Sequence, residues 1–304
     1  MCARVYGLFR KRLDVFTREA ERIQEGDVEA VHRTRVASRR LRELLTVLQL
    51  DSDTTSTLKR RLKKLTKQLG AVRELDVSMI VIQELGRDPR YPSTAVKRVT
   101  ASIEDARRAA RDHLVTKLPL AKLRRLAYRL EQAVRRRESN KGGHRPGKHE
   151  SRRAWLWTGD ARAVRRADQV RLAVEAAGAM YTAERLHEVR IALKKLRYAA
   201  ELRVEARHRR ATADIGVLKG VQDLLGRLHD LEVLIAHVRH MQASPRAPEV
   251  TEWHELGLVV HAVEDECRGL HARYIHGRTK LIAVVDRIAG AKLRRVLVRH
   301  RAIS

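Results

Sequence analysis

A twelve-residue pattern occurs twice in this chain, and it limits the possible folds more than any other feature. Val31-His32-Arg33-Thr34-Arg35-Val36-Ala37-Ser38-Arg39-Arg40-Leu41-Arg42 returns as Leu186-His187-Glu188-Val189-Arg190-Ile191-Ala192-Leu193-Lys194-Lys195-Leu196-Arg197. A second element follows each copy: Leu69-Gly70-Ala71-Val72-Arg73-Glu74-Leu75-Asp76-Val77 matches Leu225-Gly226-Arg227-Leu228-His229-Asp230-Leu231-Glu232-Val233. The first pair is offset by 155 residues and the second by 156, in the same order. Two elements in register at nearly one offset point to a chain of two related halves. The first half is read as 1–138, a linker as 139–160 and the second half as 161–304.

The halves read as helical. Val5, Leu8, Phe9, Leu13 and Phe16 recur at helical spacing, as do Leu58, Leu62, Leu65, Leu69 and Val72. No run alternates as a strand would, so the expected class is all-α. Breaks fall at Gly26-Asp27, where Asp27 can cap the next helix, at the polar stretch 51–56, at the loop 86–92 and at the loop 243–248. The linker is marked by Gly142, Gly143, Pro146 and Gly147. Trp155 and Trp157 lie in it and either pack it down or anchor a partner.

At 100° per residue, His32, Arg35, Arg39 and Arg42 fall within a sector of about 80°. Thr34, Ala37, Leu41, Leu45 and Leu48 point the other way. In the second copy His187, Arg190, Lys194 and Arg197 take the same sector, opposite Val189, Ala192 and Leu196. A basic stripe on one amphipathic helix is ordinarily its solvated face. The same stripe led by His at the same relative positions in both halves argues for a shared task. Ten residues of helix cover about 15 Å, too long for one phosphate group but suited to a chain of them. Arginine offers a planar fork that can donate twice to one phosphate and stays charged at every physiological pH. Lys63 and Lys219 align at the repeat offset and are read as residues of the same basic groove, with Arg73 beside them. Arg40 and Lys195 align nearer the helix flank. A His among such cations is hard to protonate until an anion arrives. Two stripes facing each other across a pseudo-twofold would make a longer track.

Charge points to the same class of partner. The chain has 65 Lys plus Arg against 37 Asp plus Glu, a formal net charge of +28, and such self-repulsion favours a polyanion in the working state. Nucleic acid is an alternative polyanion, expected to bind weakly and without sequence preference. The stripes carry few interleaved aromatics for base stacking, and no helix-turn-helix or RNA-binding signature is present. No phosphate-cradling Gly-Lys-Ser/Thr loop, nucleophile elbow or His-Glu-x-x-His occurs, so the expectation is a binding protein, not an enzyme, with no cofactor and no metal. His237 and His240 can share a helix face but lack a third ligand. Gly70 and Gly226 are read as marking a bend or a close helix approach. Glu74, Asp76, Asp230 and Glu232 are read as caps or as ion-pair partners that orient nearby Arg and Lys. Cys2 and Cys267 suggest no disulfide framework. No signal peptide or membrane span is read, and the expected location is cytoplasmic. The basic tail from Lys292 to Arg301 is left unassigned.

The motifs His32-x-x-Arg35-Val36-Ala37-x-Arg39-Arg40-Leu41-Arg42 and Leu69-Gly70-x-x-Arg73-Glu74-Leu75-Asp76-Val77, with their second-half counterparts running on to Tyr198 and Leu231, resemble the CHAD family, the conserved histidine α-helical domain. The resemblance covers essentially the whole chain as a single CHAD-like domain. It implies two four-helix bundles related by a pseudo-twofold, with a basic central groove that binds inorganic polyphosphate. It also implies association with polyphosphate granules, as in some relatives. His229 stands where relatives often have Asn, and Glu74 where Asp is common; neither change removes a basic groove residue. Many relatives carry a triphosphate tunnel metalloenzyme domain ahead of this one, and no room for it is read here.

Overall fold

The computed structural model describes residues 2–25, 27–48, 50–139, 148–207, 213–244 and 250–290. Among them the secondary structure is helical throughout, with no strand: α1 Cys2–Gln24, α2 Val28–Val47, α3 Ser52–Leu85, α4 Ser93–Lys117, α5 Leu120–Ser139, α6 Lys148–Ala177, α7 Ala183–Arg207, α8 Ala213–Gln242 and α9 Val250–Gly290. The all-α expectation is borne out.

Local chemistry sets the boundaries. Asp27 caps α2 as expected, its Oδ1 accepting from the backbone N–H of Glu29 at 2.8 Å and of Ala30 at 3.2 Å. Its partner Gly26 lies outside the described residues. The stretch 51–56 is not a free turn: α3 starts at Ser52, and Asp51 accepts from the N–H of Thr54 at 2.7 Å. Polar residues that look like a turn are here the cap and first turn of a helix. The loop between α3 and α4 falls at 86–92 as read, tied by Asp88 to the backbone and guanidinium of Arg90. α6 begins at Lys148, inside the stretch read as a linker, because the Gly and Pro residues that signal irregular backbone stop at Gly147. Only the backbone of 148–158 is described, so the packing of Trp155 and Trp157 lies outside the described residues, as do 245–249 and the tail 292–301. α6 ends at Gly178, whose φ of 62° is the left-handed conformation a helix stop requires. Its carbonyl accepts from Arg278 at 3.1 Å.

The chain divides into two compact units, Met1–Met79 with Ala101–Leu156, and Ile80–Thr100 with Trp157–Ser304. In the first, α1 packs on α2 and α5. Phe9, Phe16, Leu41, Leu45, Leu62, Leu69, Leu123 and Leu130 are fully buried there. The apolar face predicted for α2 is the face that is buried, Thr34, Ala37, Leu41, Leu45 and Leu48 included. A buried hydrogen bond of 2.9 Å joins Ser38 of α2 to Thr66 of α3. In the second unit α8 packs on α7 and α9. Val189, Leu193 and Leu196 are buried on α7, and Leu225, Leu228, Leu231 and Leu234 on α8. No described helix is long and apolar enough to cross a membrane.

Leu41 has no exposed surface and lies directly behind the basic stripe. Leu41→Ala is expected to lower unfolding free energy by about 2–5 kcal/mol through the cavity it leaves. Urea denaturation followed by circular dichroism measures this.

Candidate functional site

In the first unit, burial of the apolar face of α2 fixes where its basic stripe points. His32, Arg35, Arg39, Arg40 and Arg42 are all half-buried, neither core nor freely solvated. Arg35 reaches across to α3 and lies on Gly70. A Cβ added at Gly70 would sit 3.7 Å from Arg35 Nη2 and 3.9 Å from Glu74 Oε1. Gly70 lies within a continuous α3, so its role is close approach. The second unit repeats the arrangement: a Cβ at Gly226 on α8 would sit 3.8 Å from Nε of Arg190 on α7. A side chain longer than Ala at either glycine would therefore compete with the guanidinium for its place. Each glycine of the second repeated element thus serves an arginine of the first.

The leading histidines sit in matching surroundings that differ at one partner. Burial lowers the pKa of His32 below its ordinary 6.5, and Arg73, Arg35 and Arg39 lower it further against the opposing pull of Glu29. Burial lowers His187 too, with Arg190 and Lys194 adding to it and Glu188 opposing. At the repeat offset Arg73 corresponds to His229. There the second unit has two imidazoles in contact: His187 Nδ1 lies 3.2 Å from His229 Nδ1, with ring centroids 4.3 Å apart. One ring nitrogen donates and the other accepts, so the pair is at least partly neutral. The first unit therefore holds a permanent cation where the second holds a titratable ring.

The remaining sequence-derived residues divide by environment. Arg73 is half-buried, and its Nη1 is buried with no hydrogen-bond partner among the described residues. Lys63 and Lys219 are exposed on α3 and α8, two helical turns before Gly70 and Gly226. Lys194 and Lys195 are half-buried on α7. Arg197 is committed within its own unit. Its Nε donates to Gln222 at 2.8 Å, its Nη1 to Glu201, and its guanidinium lies 4.9 Å from the Tyr198 ring centroid.

Of the carboxylates of the second element, Asp76 is an ion-pair partner, whereas Glu232 meets a hydroxyl. Asp76 is 2% exposed, and its Oδ1 accepts from Arg107 Nε at 2.7 Å and Arg111 Nη2 at 3.1 Å. Glu232 accepts from the hydroxyl of Tyr181. Arg107, Arg111 and Tyr181 were not legible as site residues. α4 carries several arginines without a repeated motif, and comparison of the halves sets aside whatever is not duplicated. Among the described residues no group of three or more His, Cys, Asp or Glu is placed to hold a metal ion.

A family model, that of the CHAD domain, matches residues 7–239. The chain belongs to the CHAD domain family. The resemblance read from the repeated motifs is borne out, and CHAD domains are associated in general with polyphosphate. A crystal structure of the CHAD domain from the plant Ricinus communis superposes with a TM-score of 0.58 at 20% identity, covering 97% of this chain and 91% of that one. PptA from Streptomyces chartreusis superposes with a TM-score of 0.62 at 17% identity, covering 91% of this chain and 99% of that one. At these identities the likeness shows the CHAD fold alone. No curated protein matches the sequence.

The lowered histidine values set a pH dependence. In the unfolded chain the rings take protons near 6.5; in the fold they resist protonation to lower pH. Their contribution to stability is complete above that value and is lost as the pH falls below it. Without ligand, unfolding free energy is expected to fall between about pH 7.5 and about pH 5.5. His32→Gln/His187→Gln should reduce that slope, with His237 and His271, also lowered by burial, supplying the remainder, as urea titrations at the two values would show.

Proposed function

We propose that this protein binds inorganic polyphosphate through the half-buried cationic stripes of α2 and α7, as a scaffold, granule-targeting or regulatory module and not as an enzyme. The observation that carries the reading is the recurrence, in each unit, of an arginine held against a glycine of the next helix beside a histidine whose protonation is suppressed. Side chains held this way lose little freedom on binding. The fork of arginine matches the equatorial oxygens of a phosphate group.

The charges follow a helix axis over about 15 Å, which suits a linear polyanion of closely spaced phosphates more than a compact one. Membership of the CHAD family agrees with that class of ligand. Burial is the larger cause of the suppression of His32 and His187, and phosphate on the neighbouring guanidiniums relieves the smaller, cationic part. Binding then takes up protons, and affinity rises as the pH falls.

Calorimetry with long-chain polyphosphate at two salt concentrations tests the reading. Wild type is expected to bind tightly and to weaken steeply with salt, because phosphate contacts dominate. Arg35→Ala/Arg39→Ala/Arg190→Ala/Lys194→Ala should lose more than about tenfold in affinity with helicity intact. Undiminished binding would mean that diffuse charge does the work. Duplex DNA, supplied at equal phosphate concentration, should compete poorly; a DNA preference would favour nucleic acid as the ligand. Orthophosphate release from polyphosphate by the pure protein, abolished by His32→Ala, would overturn the non-enzymatic part of the proposal.

A further inference from the structure

Asp76 is almost fully buried in the first unit and yet faces two guanidiniums on a single oxygen, Arg107 Nε at 2.7 Å and Arg111 Nη2 at 3.1 Å. Both arginines are on α4, one helical turn apart, with side chains 26% and 28% exposed. Arg73 stands one turn before Asp76 on α3, close enough to His32 to depress its protonation. Two guanidiniums therefore share one carboxylate oxygen, with Arg73 one turn away along α3, and the other oxygen, Oδ2, is buried without a hydrogen-bond partner among the described residues. Arg73 Nη1 and Arg111 Nε are buried and make no hydrogen bond to any described residue. Half-buried like charges in excess of their counter-charge are costly unless an anion completes the set.

The second unit shows that the fold itself does not need this arrangement. At the repeat offset of 156, Asp76 corresponds to Glu232 and Arg111 to Cys267. There the carboxylate is satisfied by the Tyr181 hydroxyl, which also contacts the Cys267 thiol. Cys267 is buried and uncharged, its pKa pushed up to about 12 by burial and nearby carboxylates. Glu232 is half-buried, whereas Asp76 is almost fully buried and its Oδ2 has no hydrogen-bond partner among the described residues. The second unit keeps an acid at this position without a pair of guanidiniums.

We infer that Arg107 and Arg111 are phosphate-contacting residues, held in place by Asp76, and that they extend the track of the first unit from α2 and α3 onto α4. The second unit lacks this extension. The inference rests on the polyphosphate reading and assigns it residues that the duplicated motifs do not contain. Asp76 acts as a positioning residue: by occupying Arg107 Nε and Arg111 Nη2 it fixes both planes, and the partly exposed outer Nη groups are left to donate.

Calorimetry of the full chain with long-chain polyphosphate at fixed salt separates positioned from diffuse charge. Arg107→Lys/Arg111→Lys keeps net charge and an ion pair to Asp76 but removes the forks. Affinity is expected to fall about tenfold or more, with melting temperature and helicity little changed. Asp76→Asn makes the protein more positive, so diffuse attraction predicts tighter binding, whereas loss of orientation predicts weaker. Weaker binding by both variants supports the inference. Unchanged affinity in the Lys pair, or tighter binding by Asp76→Asn, overturns it while the polyphosphate reading stands. If Asp76→Asn fails to fold, the Lys pair decides alone. Failure of the wild type to bind polyphosphate removes both readings.

Discussion

Several like charges held on one helix face, each half out of water, form the constraint around which both units are arranged. Such a face repels itself, and desolvation sharpens the repulsion. The chain meets it by committing the opposite face of the same helix to the core. Leu41 and Leu45 in one unit and Leu193 and Leu196 in the other are buried completely or nearly so. Apolar burial holds the helix, and the helix then holds the charges. Gly70 and Gly226 add the second half of the solution, because a flat guanidinium can lie on a helix only where no large side chain intervenes. Position, more than charge count, separates these cations from the many solvated ones elsewhere on the chain.

The histidines show how far this environment reaches. An imidazole is the one side chain on the stripe that can give up its charge near neutrality, and both copies do so under burial and the neighbouring cations. The units reach that state differently. His32 is set against Arg73, a permanent charge, whereas His187 touches another imidazole, His229. The two motifs thus differ at the partner of the leading histidine while both have the arginine–glycine contact.

Much of this was legible in the chain because helical period and duplication are both sequence properties. The stripe, its buried reverse face and the cap at Asp27 follow from spacing alone. The glycine could be read as a close approach, but not which side chain approached, since contact across helices has no local signature. The start of α6 was obscured because Gly142 to Gly147 lends its irregular composition to the helical residues after it. Asp51 was misplaced for a related reason: caps and turns draw on the same polar residues. The partners of Asp76 were invisible because Arg107 and Arg111 lie on another helix, more than thirty residues away, with no echo in the second half.

The contrast between Asp76 with its two arginines and Glu232 with Tyr181 has a thermodynamic consequence. A helix pair whose guanidiniums outnumber the acid they share gains from an anion that settles among them, whereas one whose guanidiniums each have an acid gains less. The α3–α4 contact of the first unit should therefore stiffen when phosphate-rich ions are abundant and loosen when they are scarce. The α8–α9 contact is instead crossed by arginines that each meet an acid, Arg227 with Glu266 and Arg239 with Glu264. One helical corner thus gathers two guanidiniums on one acid, while the other matches each arginine with an acid of the facing helix.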